Sequence, residues 1–317
     1  MVAVRRKKGY DSSLVGLILG LAFIISMVII GPVIYRYLTS QTDIDKCRAS
    51  VSVKSVAISI GSAGTRFVDP AQLNFDCHTA TLVLKKDAYD VFKTTSVDKQ
   101  VMKYDSTQQS YDDKLKKVFA DSMRDCWDMF GKGEIDPFTR LDGNEHCVIC
   151  SQIKFDQSAK DELQKQEKAA LTDFNRFLVE NYANSRQTYS SFLYSVEPSD
   201  VSNPSSKAAE LIKDSKPIDF SEHAVFYYST RGTGAADAAA SVAKIVGCSP
   251  TSATTSILKK IPGVGKVISV TAFLSSTCIG GKMLGFAIES LADGTIHYVG
   301  VAQAPLEEVQ KRCSQLY

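Results

Sequence analysis

Leu14 to Ile34 is an unbroken run of twenty-one uncharged, mostly apolar residues, and it constrains this chain more than any other stretch. As one helix it would rise roughly 30 Å, the thickness of a bilayer's hydrocarbon core. Arg5, Arg6, Lys7 and Lys8 precede it, and such a flank marks the cytoplasmic side. The sequence therefore predicts a cytoplasmic basic tail over 1–13, a transmembrane helix over 14–34 and an extracytoplasmic remainder. A cleaved signal peptide would carry an apolar core of only about 7 to 15 residues and a small-x-small site after it. Gly31-Pro-Val-Ile-Tyr-Arg-Tyr37 offers no such site, so the expectation is a retained signal-anchor in a single-pass cell-membrane protein, held by the lipid bilayer through 14–34.

Cys47, Cys77, Cys126, Cys147, Cys150, Cys248, Cys278 and Cys313 all lie beyond that run. On the oxidising side of a membrane, an even set argues for disulfides. Preference for local closures predicts Cys47–Cys77, Cys126–Cys147 and Cys248–Cys278, which leaves Cys150 for Cys313. Cys147-Val-Ile-Cys150 with His146 before it also has the spacing of a zinc or dithiol site. A redox dithiol, however, needs its first cysteine at a helix N-terminus. The surroundings read instead as a strand, in which residues three apart lie on opposite faces. No metal and no cofactor are expected.

Beyond residue 36 the chain carries 32 basic and 34 acidic side chains, a net of −2. No overall field draws nucleic acid or anionic lipid. The pattern is mixed. Residues 46–60 are ambiguous: Val51 with Val53, then Val56, Ile58 and Ile60, alternate like a strand, while Val53, Val56, Ala57 and Ile60 fit one face of a helix equally well. Helix is the reading preferred directly after a membrane helix. Leu73 to Lys85 fits a strand. Ser110 caps a helix reaching Phe130, with Leu115, Phe119, Cys126 and the single tryptophan, Trp127, on its apolar face. A strand over 146–155 follows, then a helix opened by Ser158 that carries Leu163, Phe174 and Tyr182, and a strand over 188–196. Polar residues 199–206 suggest a boundary between an N-terminal part, 35–198, and a C-terminal part, 207–317. In the latter, His223 to Ser229 reads as a strand, Ala292-Asp-Gly294 as a hairpin turn between two more, and 305–316 as a closing helix.

Gly232 to Lys282, rich in Ala, Gly, Ser and Thr, reads as an inserted helical hairpin whose small residues allow close helix contact. The expected fold class is thus α/β of the α+β type: an N-terminal transmembrane helix, then a disulfide-stabilised mixed ectodomain with a small antiparallel sheet and that insertion. Within the insertion, Ser256 to Ser269 resembles the helix-hairpin-helix motif. The resemblance implies that the amides of Gly263 and Gly265 meet a phosphate backbone, with Lys259, Lys260 and Lys266 beside them. The same glycines do not make a P-loop, because Lys260 stands where glycine is required and Val267 where a magnesium-binding hydroxyl is required.

His78, His146, His223 and His297 are scattered, and no nucleophile or metalloprotease motif occurs, so no catalytic residue is assigned and an enzyme is not expected. Taken together, Cys126-Trp-Asp-Met-Phe-Gly-Lys-Gly, Cys147-Val-Ile-Cys-Ser-Gln-Ile-Lys-Phe-Asp and the terminal segment with Cys313 resemble uncharacterised membrane-anchored proteins of archaeal genomes. That resemblance implies architecture alone. The expected function is an extracytoplasmic binding or scaffolding protein with a protein partner at the outer surface. A surface DNA receptor using the hairpin motif is the alternative, and a thiol-disulfide or zinc protein is a third reading.

Overall fold

The computed structural model describes residues 43–62, 75, 77–93, 99–108, 110–133, 138, 145–194, 212, 217–231, 268–273, 276–278, 281–290, 295–303, 309 and 313–315. Helix α1 spans Asp43–Ser62. Strands β1 (Ala80–Leu84), β2 (Ala88–Lys93) and β3 (Lys99–Lys103) form a meander. Helix α2 (Tyr111–Met129) then leads into β4 (Glu145–Phe155), and the short helices α3 (Gln157–Lys165), α4 (Phe174–Glu180) and α5 (Tyr189–Tyr194) follow. The chain closes through β5 (His223–Arg231), β6 (Ile268–Phe273), β7 (Ser276–Cys278), β8 (Gly281–Ser290), β9 (Thr295–Gln303) and β10 (Ser314–Gln315).

These ten strands make one mixed sheet in the order β3-β2-β1-β4-β5-β9-β8-β6, with β10 beside β4 and β7 beside β8. The expected small antiparallel sheet is corrected on two counts, size and direction. Parallel neighbours need a crossover of a dozen residues or more, and the path through β2, β3 and α2 supplies it, bringing β4 back parallel to β1. The β8–β9 hairpin pairs Ser290 with Thr295 across the Asp-Gly segment. β5 lies against β4 on one side and β9 on the other. Strands from both sides of the 199–206 segment, itself outside the described residues, therefore share one sheet, and 43–317 is a single unit.

The inserted helical hairpin, 232–282, is also corrected, since residues 268–273 and 276–278 within it are strands, whereas Gly281–Ser290 is the strand expected before the Asp-Gly turn. Ile268, Val270, Thr271, Phe273 and Thr277 lie in these first two strands, and β-branched and aromatic side chains favour a pleated chain. Residues 232–267 lie outside the described ones.

Nor does the membrane span stand. Among the described residues no helix is long and apolar enough to cross a membrane, and 14–34 lies outside them. The transmembrane helix, and with it the membrane, single-pass and signal-anchor description, has no support here. The longest described helix, α1, carries Asp43, Asp45, Lys46, Arg48 and Lys54, too many charges for hydrocarbon. It is a helix as expected, yet Cys47, Val51 and Ser55 are its buried stripe while Val53 and Val56 face outward.

α2 explains where the core sits. The Ser110 hydroxyl accepts the Asp113 N–H at 3.0 Å, Asp112 and Asp113 suit the positive end of the helix dipole, and the apolar stripe Leu115, Val118, Phe119, Cys126, Trp127 is buried. It packs on one face of β4 and β5, against Val148, Ile153, Val225 and Tyr227. The opposite face is buried too, at Ile149, Phe226, Tyr228 and Tyr298.

The single long helix expected after β4 is broken. Asp156, not Ser158, caps α3, accepting the Ser158 N–H at 2.9 Å. Glu167 then turns left-handed at φ 55°, which ends the helix. Residues 188–196, expected as a strand, contain α5 because the Thr188 hydroxyl accepts the Ser191 N–H at 3.3 Å and its carbonyl the Phe192 N–H at 2.9 Å. The closing helix is cut short as well: Cys313 N–H still bonds the Val309 carbonyl at 2.8 Å, but Ser314 and Gln315 pair with Val148 and Ile149 as β10.

Candidate functional site

Three disulfides join the described cysteines. Cys47 is bonded to Cys77, Cys126 to Cys150 and Cys147 to Cys313. The last two exchange the expected partners. α2 lies on one face of β4 and reaches only the cysteine pointing to that face, Cys150, and a bulge at that residue shifts the β4–β5 register between Ile149 and Ser151. Cys248 lies outside the described residues and the side chain of Cys278 is not among those described. No metal-binding group of three or more His, Cys, Asp and Glu side chains occurs among the described residues. The Cys-x-x-Cys is committed to two separate staples, so it forms neither a dithiol nor a zinc site.

Two polar constellations could carry chemistry. In the first, the Tyr227 hydroxyl is 2.6 Å from His297 Nδ1. Phe130 stacks on the Tyr227 ring at 4.3 Å, Trp127 lies at 6.1 Å, and Phe138 stacks on His146 at 4.3 Å. Tyr227 and His297 are 0% and 1% exposed. A tyrosine–histidine pair can move a proton, but one sealed inside an aromatic stack meets no substrate. It satisfies two buried polar groups.

In the second, on the α2 surface, Asp121 accepts from Tyr189 Oη at 2.6 Å and pairs with Arg124 at 2.7 Å and Lys117 at 3.2 Å. Lys117 Nζ also donates to Tyr189 Oη at 3.0 Å, and Arg124 reaches Asp125 at 2.7 Å and the Ala183 carbonyl at 3.2 Å. Burial pushes the Tyr189 phenol well above its usual range, with the Asp121 charge adding to it. Burial likewise raises the Asp125 carboxyl against the pull of Arg124. Every donor here has an acceptor inside the cluster. The network fastens α5 to α2 and leaves nothing to hold a ligand.

The third feature is an edge. Among the described residues β3 is the last strand of the sheet and is bonded to β2 alone, with Lys99 opposite Phe92, Val101 opposite Asp90 and Lys103 opposite Ala88. All five of its residues are exposed, and Val101 and Met102 are 61% and 44% exposed. An edge of this kind offers unpaired backbone N–H and C=O groups to another strand. Behind it, Asp90 is buried, with Oδ2 2.6 Å from Lys85 Nζ and 3.0 Å from Lys99 Nζ. The Lys85 hydrogen bond, helped by Lys99, holds that carboxyl below its usual range. This pins β1, β2 and β3 to one another at the rim.

Of the residues singled out in the sequence, Gly263, Gly265, Lys259, Lys260 and Lys266 lie outside the described ones, and Ile268 and Ser269, at the end of that stretch, begin β6. Lys99–Lys103 carried no expectation. The alternation Lys-x-Val-x-Lys is visible in the sequence, but its place at a sheet edge is not. No family model, no curated protein and no solved structure matches the chain.

Proposed function

We propose that this chain carries a disulfide-stapled binding module of an oxidising compartment, which engages a protein partner by strand addition along β3. The observation that carries this reading is the wholly exposed β3, paired on one side only among the described residues, with two large apolar side chains at its centre. Backbone pairing at such an edge supplies affinity and the alternating side chains supply selection. Three disulfides support the compartment, because such bonds persist where thiols are not kept reduced. The Asp90 clamp favours the same use, since it presents the edge already ordered and lowers the entropy lost on binding.

Selection of extended peptides from a displayed random library on the full chain, followed by hydrogen exchange of the complex, tests the reading. Enriched peptides should slow exchange at the amides of Lys99–Lys103. Enriched peptides that protect another element, or no enrichment at all, would overturn it.

A further inference from the structure

We infer that the β3 edge selects an extended acidic segment of its partner, with two acidic residues four positions apart and an apolar residue midway between them. The inference rests on the strand-addition reading and specifies its partner. Alternate residues of a strand share a face, so Lys99, Val101 and Lys103 line one side of β3. Lys85 joins them, through the Asp90 carboxylate that it shares with Lys99. Asp90 is the one carboxylate pairing with these three lysines among the described residues, it is buried, and Lys103 has no ion pair there. That side of the rim is left positive, with an apolar residue at its centre. Opposite charges facing each other across two strands stabilise the pair and like charges oppose it. An added strand with acidic residues facing Lys99 and Lys103 and an apolar one facing Val101 satisfies all three positions. Because Lys-x-Val-x-Lys reads the same from either end, the rule holds for either strand direction.

A second copy of this chain does not fit. Antiparallel pairing centred on Val101 would set each Lys99 against the Lys103 of the other strand. A polyanion such as nucleic acid would use the charge but not the spacing. Edge lysines also serve elsewhere to prevent pairing altogether, and the experiment separates that use from recruitment.

Full-length protein with its disulfides intact is titrated into two labelled peptides of one composition, Thr-Glu-Thr-Val-Thr-Glu-Thr and Thr-Thr-Glu-Val-Glu-Thr-Thr. The first places its glutamates on the valine face at the Lys99–Lys103 spacing, and the second places them on the other face. We expect the first to bind about tenfold more tightly, the sum of two cross-strand pairs, and to slow exchange of the β3 amides. Lys103→Glu, chosen because it breaks no ion pair among the described residues, should weaken the first peptide about tenfold, and exchanging one of that peptide's glutamates for lysine should restore binding. Equal affinity for both glutamate peptides would overturn the inference in favour of a bare charge effect. If a peptide without acids, Thr-Thr-Thr-Val-Thr-Thr-Thr, protects β3 as well as the first, strand addition stands and the acidic rule falls. If no peptide protects β3, both fall and the lysines serve to keep strands away.

Discussion

Cys147 and Cys150 stand three residues apart on β4 and point to opposite faces of the sheet, Cys150 toward α2 and Cys147 toward Cys313 beside β10. One strand is thereby stapled on both sides. The closures differ in span, 24 residues for Cys126–Cys150 and 166 for Cys147–Cys313. Chain-entropy arithmetic assigns about 3.5 kcal/mol to the shorter loop and about 5 kcal/mol to the longer.

The pairing itself is checked by single replacements. In Cys147→Ser, the thiol that becomes alkylatable on unfolding without reductant should be Cys313, and in Cys150→Ser it should be Cys126. Peptide mapping that finds the two reversed would restore the local pairing. Urea midpoints of Cys126→Ala/Cys150→Ala and Cys147→Ala/Cys313→Ala should both fall, the second further.

Much of this was within reach of the sequence. α2 was legible from Ser110 to Phe130 because cap, dipole and apolar stripe agree there. The alternation of β4 separates the two thiols, but the bulge at Cys150, which brings Val148 and Ile153 to the same face, hides from the sequence which thiol meets α2. β6 and β7 were not legible, since Ala, Gly, Ser and Thr fit a close-packed helix as readily as a strand, whereas the Asp-Gly turn made β8 legible; pairing with β8 decides the matter for the other two. The opposite error at 188–196 has a tertiary cause. Tyr189 looks like a strand residue, yet its hydroxyl is claimed by Asp121 and Lys117 and its ring stacks on Phe177 at 6.2 Å. The β3 site was illegible because being an edge is a property of the neighbours that a strand lacks.

Tyr189→Phe removes the hydroxyl between Lys117 and Asp121 while keeping the ring. Asp121 retains Arg124 and Lys117, so the loss should be about 1 kcal/mol of stability. Asp121→Ala should cost more, because it strips one acceptor from Tyr189, Lys117 and Arg124 together. Denaturant curves of the two variants check the order, and an equal or reversed cost would mean that the network does not hold α5.

Asp90 gives a pH dependence with a definite sign. Its carboxyl is held below the usual range by the Lys85 hydrogen bond, with Lys99 assisting. A depressed folded value contributes stability that is complete above the unfolded value near 4 and is lost as pH falls through the folded one. Asp90→Asn should therefore be less stable than the parent at neutral pH and converge with it in acid. Hydrogen exchange in β3 should rise in the variant at neutral pH. A stability gap that persists unchanged into acid would mean that shape, not charge, is what Asp90 supplies.

Gly133 sits at φ +72° directly after α2, where an added Cβ would lie 2.9 Å from Trp127 Cη2 and 3.5 Å from His297 Cβ. Two costs combine in Gly133→Ala. The left-handed backbone disfavours any β-carbon by about 1 kcal/mol, and overpacking against an immobile indole adds about 1 to 3 kcal/mol. The indole cannot easily yield, since Trp127 is 1% exposed and Tyr227 lies against it. Trp127 is also the only tryptophan, so its near-ultraviolet circular dichroism reports the site without interference from another indole. The variant should unfold at lower denaturant with an altered tryptophan band while β3, across the sheet, keeps its peptide affinity. Loss of that affinity would tie the aromatic core to the edge and require the two to be treated as one site.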